Sequence, residues 1–150
     1  MDEALRELLT SLQSDARLTY EEFPDDTTIR FQVSPEVMVE LQIADSPGIL
    51  DFHTAVLDAR SRRELCSDGD DFFTTTGMTE AEVRAFFIST VTSFVRVLVE
   101  HRLRLVTHHR KAWEFWRRKT SYSLEHWGGE GWTRLVPWHV PPVSRPLPKL

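Results

Sequence analysis

Few residues in this 150-residue chain have the type and spacing to do chemistry. Cys66 is the one thiol, and a cysteine needs a base beside it to act as a nucleophile. His53 is the candidate base if paired strands bring the two together. No third group presents itself to orient that histidine, so Cys66 reads as a small packed residue. "SDGDDF", residues 67–72, gathers three aspartates around a glycine as calcium loops do. It lacks the further ligands and the glutamate that closes such a loop, and reads as a solvated turn. His101, His108 and His109 are the histidine cluster of the sequence. No cysteine or carboxylate stands one helical turn beyond any of them to complete a metal set. "GGEG" is followed by no Gly-Lys-Ser/Thr and signals no helix start, so it is not a phosphate loop. These motifs assign no catalytic residue, no metal ligand and no cofactor, and the chain is expected not to be an enzyme.

"KAWEFWRRKTSY", residues 111–122, mixes aromatic and basic side chains and raises a different chemistry, stacking on nucleic-acid bases between phosphate contacts. On a helical wheel His109, Trp113, Trp116, Thr120, Ser123 and Trp127 fall within roughly 80° of one another. Lys111, Glu114, Arg118 and Glu125 lie opposite. A stacking platform puts aromatic and basic groups on one exposed face, and the wheel separates them. The spacing predicts an amphipathic helix over 107–127, packed through its tryptophans. Arg117, Arg118 and Lys119, on its flank and outer side, are the candidate partner-binding cations.

Charge organises the chain. Residues 1–100 balance to −12 and residues 101–150 to +7, and all five tryptophans and five of the eight prolines fall in the second part. The two parts can attract each other, or the basic end can face an acidic partner. One cysteine forms no internal disulfide, "MDEALRELL" has no basic leader followed by an apolar run, and no stretch is apolar enough to span a membrane. A cytoplasmic protein with no membrane partner is expected.

The elements follow from periodicity. Leu5, Leu8, Leu9 and Leu12 form the stripe of a short helix that must lie on something. "LTYEEF", "TTIRFQV", "VMVELQIA" and "ILDFHTAVL" read as strands separated by turn chemistry at Pro24-Asp25-Asp26, Ser34-Pro35 and "DSPG". Val37, Val39, Leu41 and Ile43 share one face; Leu50, Phe52 and Val56 share another. "RELCS" offers a fifth strand, and the short loops dictate an antiparallel meander. Thr79 with Glu82 forms a capping box, and Met78 with Val83 the matching staple, at the head of a long helix over 79–105. Its apolar face is broad enough to cover a sheet and also meet another helix. Phe87, Val91, Phe94 and Leu98 are therefore the candidate dimer interface. Gly128-Gly129 ends the next helix, "WTRLVPW" offers a short strand, and residues 137–150 read as an extended proline-rich tail.

The element order and the stretches "GMTEAEV", "FVRVL" and "VMVELQIA" resemble the YbjN family over roughly residues 1–105. That resemblance implies the fold of type III secretion chaperones: small acidic cytoplasmic homodimers, without catalytic activity, that bind extended segments of a client protein. The chain departs from the family pattern in two places. "DSPG" leaves no room for the short helix expected between the third and fourth strands, and residues 107–150 have no counterpart.

The expected architecture is thus α+β. An antiparallel sheet of about five strands is packed by a short N-terminal helix and a long helix in a chaperone-like domain over 1–106. A Trp-rich basic helical extension over 107–136 and a Pro-rich tail over 137–150 follow. The expected function is a non-enzymatic homodimeric protein-binding module, chaperone-like or regulatory. The alternative is a nucleic-acid-associated protein using the basic aromatic C-terminal region.

Overall fold

The computed structural model describes residues 3–24, 26–46, 49–72, 77–109 and 120–137. Helix α1 (Glu3–Ser11) leads into five strands, β1 (Leu18–Glu22), β2 (Asp26–Ser34), β3 (Val37–Ser46), β4 (Ile49–Asp58) and β5 (Glu64–Phe72). Helix α2 (Glu80–Glu100) follows, then β6 (Leu103–His109), β7 (Thr120–Trp127) and β8 (Trp132–Val136). The first five strands make an antiparallel meander in sequence order, and the last three make a second antiparallel sheet with β7 in the middle. This is the expected α+β class with its five-stranded sheet. No helix among the described residues is long and apolar enough to cross a membrane.

Alternation sets which face of the large sheet is buried. Ile29 and Phe31 of β2 stand opposite Leu41 and Val39 of β3; Ile43 and Val39 in turn stand opposite Phe52 and Val56 of β4. All seven are 2% exposed or less. Because side chains alternate along a strand, slipping any pair by one residue would send this whole set to the opposite face, so the register is strongly specified. Ser46 pairs with Ile49, which makes the β3–β4 connection two residues long and enforces the hairpin.

Helix α2 lies on that face. Thr79 is its N-cap: Glu82 N–H donates to Thr79 Oγ1 at 3.2 Å, and Thr79 N–H donates to Glu82 Oε2 at 2.8 Å, the predicted capping box. Met78 and the buried Val83 belong to the same apolar cluster, as the staple requires. The helix stops at Glu100 rather than near 105. His101 is already extended (φ −97°, ψ 156°), because the next residues pair with β7 instead of continuing the helix. Helix α1 buries Leu5 and Leu9 and packs beside α2 in the same core, rather than resting on the sheet alone.

The outer face of the sheet is polar. Arg30 links Glu21 at 3.1 Å to Glu40 at 2.8 Å, and Arg62 reaches the same Glu40 carboxylate at 2.9 Å. This chain of ion pairs runs beside a small apolar patch of Met38, Ala55 and Leu57.

The C-terminal part corrects the sequence reading. Residues 107–109 end β6 and residues 120–127 form β7, so no helix runs over 107–127. The β-branched and aromatic residues Thr107, Thr120 and Tyr122 suit a pleated surface, and pairing between β6 and β7 supplies their backbone partners. Thr120, Ser123 and Trp127 of the predicted stripe lie on β7, and Trp113 and Trp116 fall outside the described residues. The boundary expected at 106/107 falls inside β6, and Leu124, Leu135 and Val136 join the main hydrophobic core, so β7 and β8 are built into it. "WTRLV" is the expected short strand.

Candidate functional site

Strand β5 is an edge of the large sheet, paired with β4 on one side. On its other side β7 approaches. Residues 120–123 of β7 pair with β6, while pairing with β8 begins only at Leu124, opposite Val136. Two strand edges therefore face each other without belonging to one sheet. Between them runs a groove of about 730 Å³, lined by Arg63, Glu64, Leu65, Cys66 and Ser67 on one wall, with Thr120, Ser121 and Tyr122 opposite and Pro137 beside them. Consecutive residues line each wall, so the groove meets backbone as well as side chains. Strand edges of this kind present N–H and C=O groups to whatever lies beside them.

Cys66 sits in the groove wall but is turned toward the core. Its thiol donates weakly to the Val136 carbonyl at 3.8 Å, and burial pushes the thiol up to about 12. At neutral pH it is a protonated, half-buried group, whereas the nucleophilic form is the thiolate. His53, the base considered for it, pairs with Gly69, and Cys66 pairs with Val56. Residues 53 and 56 are an odd number apart on β4, so the two side chains leave opposite faces of the sheet. The structure keeps them apart. His53 instead packs over Gly69, where an added Cβ would lie 3.2 Å from His53 Cδ2.

The other motifs resolve in the same way. "SDGDDF" is the end of strand β5 rather than a turn; residues 68–72 pair with 50–54 of β4. "GGEG" is the turn of the β7–β8 hairpin, where Gly128 N–H donates to Gly131 O at 2.9 Å and Gly129 takes a φ of +93° that favours glycine. No group of three or more His, Cys, Asp or Glu side chains arranged to hold a metal occurs among the described residues. The histidines of the predicted cluster go separate ways. His108 Nε2 lies 2.8 Å from Ser123 Oγ, and His101 meets a histidine that sequence spacing did not connect to it.

That partner is His126. The two Nδ1 atoms are 3.1 Å apart, and His101 Nδ1 is also 3.0 Å from the Trp127 carbonyl oxygen. Burial, and then the neighbouring His101, hold His126 below the ordinary histidine range. Beside this pair Trp127 and Trp132 form a cross-strand pair, edge to face at 5.5 Å, and are 40% and 36% exposed. Arg104 lays its guanidinium 4.2 Å over the Trp132 ring and bonds Glu125 at 2.7 Å. Trp127 was expected in an inward helical stripe; it stands instead on the surface of a hairpin.

Phe87, Val91, Phe94 and Leu98, the candidate dimer interface, are 0% exposed within a single chain. Phe94 meets Phe52 of β4 edge to face at 5.3 Å. The helix face is spent on its own sheet, so a second copy would dock elsewhere. Arg117, Arg118 and Lys119, the greater part of "KAWEFWRRKTSY", and residues 138–150 of the tail lie outside the described residues.

Comparison of the chain with known protein families, with curated proteins and with solved structures finds no match. The class that stands is an α+β protein built on a five-stranded antiparallel meander with a second three-stranded sheet.

Proposed function

We propose that this chain is a non-enzymatic protein-binding module, chaperone-like or regulatory, that holds an extended segment of a client protein and works as a homodimer. The observation that carries the reading is the groove between the β5 and β7 edges. An extended peptide laid along a strand edge gains main-chain hydrogen bonds, and side pockets then select alternate side chains. The lining suits that mode: Ser67, Thr120, Ser121 and Tyr122 are small or polar, and Arg63 and Glu64 offer both signs of charge. The resemblance to the YbjN family points to the same kind of client and supplies the expectation of a homodimer.

The test combines capture with mapping. Proteins from the native lysate retained by the wild-type chain are compared with those retained by a Ser67→Arg/Ser121→Arg variant, whose long side chains fill the groove. A client lost from the variant should, when purified, slow amide exchange at residues 64–67 and 120–122. A client held equally by both proteins, with no protection at either edge, would overturn the reading. Sedimentation equilibrium at micromolar concentration should give twice the chain mass; a clean monomer would remove the homodimer.

A second reading, association with single-stranded nucleic acid, rests on the exposed Trp127–Trp132 pair with Arg104 stacked upon it. It requires binding to oligonucleotide that weakens steeply with salt, because neutralised phosphates release counterions. Peptide held in the β5–β7 groove would show no such slope.

A further inference from the structure

We propose that His101 and His126 form a two-histidine binding site for a divalent transition metal of the copper, nickel and zinc group, with the Trp127 carbonyl oxygen beside them. Two atoms of ligand type lie close to His101 Nδ1: His126 Nδ1 at 3.1 Å and the Trp127 oxygen at 3.0 Å. Imidazole nitrogens bind zinc at roughly 2.0–2.1 Å. At that length a 3.1 Å separation corresponds to a nitrogen–metal–nitrogen angle of about 95–102°, between square and tetrahedral geometry. Imidazole ligands suit this group of metals, and the unused coordination positions go to solvent.

A hydrogen bond alone satisfies this arrangement poorly. A neutral His101 protonated at Nδ1 has one proton there to offer, and both His126 Nδ1 and the Trp127 oxygen compete for it. With His101 protonated on Nε2 instead, His126 can donate an Nδ1–H to it, and the Trp127 oxygen is then left facing a lone pair. A cation among them answers all three.

The backbone holds both histidines in place without help from a ligand. His101 caps α2, with its N–H donating to Val97 O at 3.1 Å. His126 lies in the middle strand of its sheet, opposite Leu103 on one side and Thr133 on the other. Trp127 N–H donates to Arg102 O at 2.9 Å, locking the helix end to the hairpin. Both rings are half-buried, so a metal can reach them and the site needs little reorganisation to bind. Occupancy would tie the end of α2 to the hairpin that carries Trp127 and Trp132. The site is separate from the β5–β7 groove and does not depend on it.

The experiment is a titration of the full chain with Cu²⁺, followed by calorimetry and by electron paramagnetic resonance at substoichiometric metal. The expected result is one saturable site whose spectrum shows coupling to two imidazole nitrogens. His101→Gln or His126→Gln, each checked for folding by circular dichroism, should lower affinity by about a hundredfold, as loss of one arm of a two-point attachment does. His53→Gln and His109→Gln should change nothing. The wild-type spectrum needs no variant, so a substitution that fails to fold leaves the test intact. Absence of a saturable site, or a two-nitrogen signal that survives in the His101→Gln/His126→Gln double variant, would overturn the proposal.

Discussion

Replacing Phe94 by Ala separates a core residue from an interface residue. Phe94 is 0% exposed in the single chain and touches the Phe52 ring edge to face at 5.3 Å, with the planes 75° apart. The substitution removes the ring and leaves a cavity between α2 and β4. Losses of this kind cost about 3–5 kcal/mol, because the surroundings collapse only in part. About 0.5–1.5 kcal/mol of that belongs to the ring pair itself. It should appear as the coupling energy in a double-mutant cycle of Phe52→Leu and Phe94→Leu. With a urea dependence of about 2 kcal/mol per molar, the unfolding midpoint should fall by roughly 1.5–2.5 M. The assay is urea unfolding followed by circular dichroism at two widely separated protein concentrations. A core role makes the loss independent of concentration. The reasoning fails if the midpoint moves by less than about 0.5 M. It also fails if the variant keeps its spectrum and merely dissociates from dimer to monomer.

Trp127→Ala should cost about 1 kcal/mol or less, the scale of an exposed cross-strand pair, where the helical reading would have required about 3–5 kcal/mol; thermal unfolding distinguishes them. Thr54 is 0% exposed and its hydroxyl has no hydrogen-bond partner among the described residues. Thr54→Val should therefore raise stability by about 0.5–1 kcal/mol in the same urea assay, and a loss would mean the hydroxyl is satisfied. The Arg17 side chain and then its backbone N–H hold the Asp15 carboxyl down, from 3.8 to about 2. Its folded value lies below its unfolded one, so the stabilisation is complete above about pH 4 and disappears as pH falls through about 2. Arg17 is half-exposed, and solvent screening reduces the contribution to about 1 kcal/mol. Asp15→Asn should flatten the acid limb of a stability–pH curve across that window and leave its slope near neutrality unchanged.

Sequence periodicity carried the first hundred residues well because each element there declares itself locally. The alternation of Val37, Val39, Leu41 and Ile43 leaves one way to bury them, and the two-residue β3–β4 connection permits only an antiparallel neighbour. Thr79 and Glu82 mark the helix start by a reciprocal bond that needs no tertiary partner. The fifth strand was visible at "RELCS", but its continuation through residues 67–72 was not. Asp and Gly have poor strand propensity, and pairing with β4 overrides it.

What lies beyond His101 was decided by tertiary contacts. The residues 120, 123 and 127 fit a helical wheel as well as a strand, and only pairing with β6 and burial of Leu124 choose between them. The same holds for the candidate sites. The breadth of the α2 face suggested a partner helix, but a sequence cannot say how much of that face its own sheet and α1 will cover. His101 and His126 stand 25 positions apart with no spacing rule to join them, and they meet because a helix end and a hairpin are bonded together. The groove is still less legible. It exists because β7 pairs with β6 from Thr120 to His126 but with β8 only from Leu124 onward, leaving an edge turned toward β5. Local chemistry determines which segments form helices and strands; which edges and side chains remain available depends on what the rest of the chain covers.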